Sequence, residues 1–118
     1  METVSVLRFV LFKDSEKSFL SALDAEGIGH ERVHQFTTQP QASGIVEAIS
    51  TLSEAMPWNS IAKVMVAWIE ARKSRKIIIT TYNNQIIHME GYSVEEVKKI
   101  LPKTINITII DTKPENEI

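Results

Sequence analysis

An α+β fold, a mixed sheet with its helices packed on one face, is predicted for this chain by three observations. A β-rich run opens the sequence, with Val4, Val6, Leu7, Phe9, Val10, Leu11 and Phe12 in nine residues. A hairpin pattern, Lys76–Tyr82 and Gln85–Glu90 around Asn83-Asn84, follows a long apolar helical stretch. A capping-box spacing, Ser93 to Glu96, opens a short helix before a last isoleucine-rich strand. The resulting order is β-α-β-α(α)-β-β-α-β, as in ferredoxin-like folds and their relatives.

Taken in order, the first run is too apolar for a half-wet strand and reads as a central strand covered on both faces. Asp14 or Ser15 opens a helix whose Phe19, Leu20 and Leu23 form one stripe, ended by Gly27 and Gly29. Glu31–Thr37, with Val33 and Phe36 among polar residues, reads as a weak edge strand closed by Pro40. Ser43 can cap a helix that places Ile45, Ile49, Leu52 and Met56 on one face. Pro57 then kinks that helix or starts a new one.

From Trp58 to about Lys73 the stripe is Trp58, Ile61, Met65, Trp68 and Ile69, broadened by Ala62, Val64, Val66 and Ala67. This arc is wider than a surface helix needs, so the helix is either deeply buried or covered by a second molecule. The two tryptophans lie ten positions apart, which puts them about 80° apart around the helix axis. In the hairpin, two asparagines suit the positive φ values of a tight primed turn. Val94, Val97, Ile100 and Leu101 line the short helix, Pro102 ends it, and Ile105, Ile107, Ile109 and Ile110 form the last strand. The 118 residues fit one domain over 1–112, with a polar tail over 113–118.

Composition excludes several classes. A formal charge of −2 provides no overall field for nucleic acid or anionic lipid. The absence of cysteine removes disulfides, thiolate nucleophiles and cysteine-based zinc sites, and fits a reducing compartment. No stretch of about 20 apolar residues could span a bilayer and no leader pattern opens the chain, so the expected location is the cytoplasm.

No residue pattern announces catalysis. No G-x-S-x-G elbow, G-x-G-x-x-G loop or phosphate-loop motif occurs. His30 and His34 are four apart, but in a strand that separates them by about 13 Å, and no third ligand is near. Neither metal nor cofactor is expected. His88, between Ile87 and Met89, could serve a small ligand or enzyme site with Tyr82 or Glu90. The one concentrated charge is Arg72-Lys73-Ser74-Arg75-Lys76. Cations there suit the negative end of the preceding helix, and the alternative is a phosphate or nucleic-acid contact through Arg72, Lys73, Arg75 and Lys76.

Trp58, Ala62, Val66, the run Trp68-Ile69-Glu70-Ala71-Arg72-Lys73-Ser74-Arg75-Lys76-Ile77-Ile78-Ile79, the hairpin, and Tyr92-Ser93-Val94-Glu95-Glu96-Val97 together resemble the effector-associated constant component family of bacterial conflict systems. The resemblance covers roughly residues 45–110. It departs at the hairpin turn, often an Asp-Gly type pair in that family and Asn83-Asn84 here. It implies a non-enzymatic accessory encoded beside effector proteins and acting through protein contacts, with no catalytic residues to carry over. The expectation is therefore a protein-interaction or regulatory module with a protein partner or a second copy of itself. Its contacts would run through Trp58, Ile61, Met65, Trp68 and Ile69 or through an exposed sheet edge.

Overall fold

Residues 3–33 and 45–113 are described in the computed structural model. They form β1 (Val4–Lys13), α1 (Ser15–Ala25), β2 (Glu31–Val33), β3 (Ile45–Leu52), α2 (Trp58–Ala71), β4 (Arg75–Thr81), β5 (Ile86–His88), α3 (Val94–Ile100) and β6 (Thr104–Asp111). Short 3-10 turns, Ser53–Ala55 and Leu101–Lys103, precede α2 and follow α3. The sheet has six strands in the order β2-β3-β1-β6-β4-β5. Only the central β1–β6 pair is parallel; β1–β3, β2–β3, β4–β6 and β4–β5 are antiparallel. The fold is thus α+β with a mixed sheet, as the sequence predicts. No helix among the described residues is long and apolar enough to cross a membrane.

The core lies between one face of the sheet and the helices. Leu7, Phe9 and Leu11 of β1, Ile49 of β3, Ile77 and Ile79 of β4, and Ile107 and Ile109 of β6 supply the sheet side. Phe19 and Leu23 of α1, Ile61, Ala62, Val64, Met65 and Trp68 of α2, and Val97 of α3 meet them. A chain of rings links the layers. The Phe9 and Phe19 centroids are 5.3 Å apart, and Phe19 meets Trp68 edge-on at 5.5 Å, the arrangement that ring quadrupoles favour.

Local chemistry sets the element ends. At the end of α1, Ile28 N–H donates to the Leu23 carbonyl and Gly27 N–H to that of Asp24. Gly27 sits at φ +71°, so the pair forms a Schellman closure with Leu23 and Ile28 both buried beneath it. Both arms of the Ser93–Glu96 capping box at α3 are made.

Two sequence expectations change. The segment 45–52, read as helix, is strand β3, paired along its whole length with β1. Its apolar positions fit the helical period, and Glu47 interrupts the strand alternation; pairing with β1 decides for strand. Met56 does reach the core, and Pro57 directly precedes α2. The hairpin turn also differs, since only Asn84 has positive φ among the non-glycine described residues. Thr81 N–H bonds the Gln85 carbonyl around a three-residue loop, the longer hairpin connection with one left-handed residue. The expected strand residues 34–37, Pro40 and the expected cap Ser43 lie outside the described residues.

Candidate functional site

All three helices pack on the same side of the sheet, so the other side has no helical cover. Strand alternation places every second residue there. One row across the sheet is Val33, Val46, Val10, Thr108, Ile78 and His88, each paired with the next. The adjacent row is Glu31, Ala48, Arg8, Asn106, Thr80 and Ile86. Phe12, Ile110 and Lys76 line one end, and Val6, Val4 and Leu52 the other. Val4 is 57% exposed, Val6 40%, Leu52 38% and Ile86 65%. The expectation that β1 is covered on both faces is therefore corrected. β1 is central, but its even-numbered residues face outward with nothing packed above them among the described residues.

Arg8 stands in the middle of this aliphatic face. It is exposed, and its side chain has no hydrogen-bond or ion-pair partner among the described residues. Its neighbours along β1 are Val6 and Val10, and across the sheet Ala48 and Asn106. The remaining ionisable groups are near the edges: Glu31 on β2, Lys76 on β4 and His88 on β5.

The five residues of the apolar helix face look into their own chain. Ile61, Met65 and Trp68 are buried, while Trp58 and Ile69 are half-buried against the same core. α2 lies between α1 and α3 and also touches β4, which accounts for its wide apolar arc. The Trp68 indole N–H donates to Ser18 Oγ at 2.9 Å.

The basic cluster divides in two. Arg75 Nε donates to Asp111 Oδ2 at 3.1 Å, and Arg72 Nη1 lies 3.6 Å from the same oxygen. Ser74 Oγ donates to Asp111 Oδ1 at 2.7 Å, and the Lys113 N–H donates to the same atom. Burial works against the Asp111 carboxylate, yet these donors and the two guanidinium groups hold its pKa below the ordinary range. Arg72 and Arg75 thus close the end of α2 onto the start of β4, whereas Lys73 and Lys76 are exposed. An open cleft of about 710 Å³ joins this region to His88, Met89 and Glu90. His88 is exposed at its rim, and Tyr82 lies elsewhere, at the hairpin tip.

One charged cluster was not foreseen. Glu47 faces inward from β3 and is buried. Arg32 Nε donates to its Oε2, and His30 Nδ1 is 2.7 Å from Oε1. The other ring nitrogen of His30 is 2.8 Å from Asp24 Oδ1, and Arg32 Nη2 is 2.8 Å from Glu16 Oε1. Both imidazole nitrogens therefore face carboxylates, which favours the doubly protonated ring. Burial opposes the imidazolium, but Glu47 and Asp24 outweigh it and raise the His30 pKa above 6.5. Burial also opposes ionised Glu47, and Arg32 with His30 outweighs it, lowering that pKa. The cluster pins β2 and the loop before it onto α1 and β3. No group of three or more metal-ligating side chains occurs among the described residues, and His34 lies outside them.

No family model matches the chain, and no curated protein matches it.

Proposed function

We propose that this protein is a non-enzymatic interaction module that docks on a protein partner through the uncovered face of its sheet. The observation carrying this reading is the aliphatic face itself, with Val4, Val6, Leu52 and Ile86 left exposed on it. Contiguous apolar surface rimmed by polar groups is characteristic of interaction sites. Phe12 is the one aromatic residue in the rows described, so the face lacks the stacked rings that hold single-stranded nucleic acid. The resemblance to effector-associated constant components supports the same reading and suggests a partner encoded nearby, within a bacterial defence or conflict system. The test is co-purification of the tagged chain with the products of its neighbouring genes. A complex lost on Val6→Asp with Ile86→Asp supports the reading; a complex indifferent to both changes overturns it.

A second reading rests on the cleft beside His88, which exposed Lys73 and Lys76 line together with Ile77 and Met89. It would take a small anionic ligand. Calorimetry with inorganic phosphate and simple carboxylates, repeated on Lys73→Ala/Lys76→Ala, tests it.

A further inference from the structure

We infer that the partner of the open sheet face carries a carboxylate at the centre of an otherwise aliphatic surface, seated on Arg8. This inference rests on the docking reading above and assigns the chemistry of its occupant.

Size comes first. The four long strands β3, β1, β6 and β4 have 8, 10, 8 and 7 residues. At a spacing of about 4.8 Å and a rise of about 3.3 Å per residue, they make a platform of roughly 500 Å² in projection. Side-chain relief and the two short outer strands enlarge it. A specific interface takes about 600–1,000 Å² of accessible surface from each partner. The face therefore suffices for a standard interface without help from the helices.

Charge then selects the occupant. A guanidinium in the middle of an interface becomes desolvated when the face is covered, and it needs a partner charge there. Arg8 has none among the described residues. A second copy supplies one only off-centre: about an axis at Ala48, Glu31 of one copy meets Arg8 of the other, and β6, β4 and β5 stay outside the contact. A two-fold axis at the centre of the face instead places Arg8 of each copy close to the axis, with like charges facing each other in a drying contact. The edges carry opposite signs, Glu31 on β2 against Lys76 and His88 on β4 and β5, so lateral register discourages no partner. A self-pair that covers the whole face is excluded at its centre. An aliphatic surface with one central Asp or Glu satisfies the whole face.

An Arg8→Glu copy of this chain has that chemistry and serves as the probe. Arg8 is exposed, so the change leaves the core intact, and circular dichroism checks this. Sedimentation velocity is run on the wild type, on Arg8→Glu and on their equimolar mixture, then repeated with Val6→Asp in both chains. The expected result is monomer for each chain alone, a dimer in the mixture, and loss of that dimer with Val6→Asp. A mixture that stays monomeric overturns the inference. A wild-type dimer abolished by Val6→Asp also overturns it, making a second copy the occupant while the docking reading stands. A wild-type dimer that survives Val6→Asp overturns both. Because the chain has no cysteine, a Val6→Cys variant reports cover by the chain itself. Rapid maleimide labelling of the monomer is expected, and protection of that thiol would overturn the inference.

Discussion

Arg75 grips Trp68 twice: its Nη1 donates to the Trp68 carbonyl oxygen at 2.9 Å, and its guanidinium carbon lies 4.5 Å from the Trp68 ring centroid. One side chain thereby satisfies an orphan carbonyl of the last turn of α2 and covers the indole that meets Phe19. The same guanidinium reaches Asp111 in β6. Planarity and the fixed fork allow the three contacts together. Arg75→Lys keeps the charge but loses that geometry, and should lower the unfolding free energy by about 1–2 kcal/mol. Urea unfolding followed by tryptophan fluorescence measures it.

Asp111 should be costlier to lose. Its side chain is fully buried and takes bonds from Ser74, Arg75 and the Lys113 N–H. Asp111→Ala removes the carboxylate that two mostly covered guanidinium groups share, and breaking a buried pair from one side costs about 3–5 kcal/mol. Partial exposure of Arg72 brings the expected loss to the lower end. A thermal midpoint unchanged from wild type would refute the assignment.

The His30 cluster gives stability a pH signature. His30 is raised above 6.5, so its contribution is whole below that pH and fades as pH climbs through the higher folded value. Glu47 and Asp111 are lowered from 4.5 and 3.8, so theirs is present above those values and lost as acid protonates them. Stability should therefore fall on both sides of a plateau. His30→Gln should remove the alkaline decline, weaken the Glu47 part of the acid one and leave the Asp111 part. Denaturant midpoints taken from about pH 2 to about pH 9 resolve the two limbs.

Lys73 and Lys76 are the exposed members of the basic cluster. Replacing both by alanine should change stability by less than about 0.5 kcal/mol. If phosphate contacts ran through this cluster, the double variant would also flatten the salt dependence of oligonucleotide binding. Fluorescence anisotropy at two ionic strengths is expected to show no such change.

Alternation along β1 makes a paired test. Leu7 is buried and Val6 exposed, so Leu7→Ala should cost about 2–5 kcal/mol and Val6→Thr under about 0.5 kcal/mol. Equal effects would mean that both faces of the strand are covered.

Much of the fold could be read from the residues, because most elements carry their own local chemistry. Ser93 and Glu96 cap α3 with no help from elsewhere, and the isoleucines of β4 and β6 leave little choice but strand. Residues 45–52 were harder. Ile45, Ile49 and Leu52 fit a helical face, and Glu47 broke the inward alternation that would have marked a strand. That same glutamate is why the His30 cluster stayed hidden. It forms only once β2 pairs with β3 and brings Arg32 opposite Glu47, 15 positions away in sequence. The wide arc of α2 was visible, but what fills it depends on α1 and α3 flanking it.

Among the described residues, the outermost strands β2 and β5 have three residues each. Such stubs offer an incoming chain too few free backbone groups to extend the sheet sideways. Lateral growth, whether into fibres or through an added strand, is therefore discouraged at both margins. Association is steered out of the plane of the sheet, and the protein's aggregation risk and its capacity for recognition fall on the same surface.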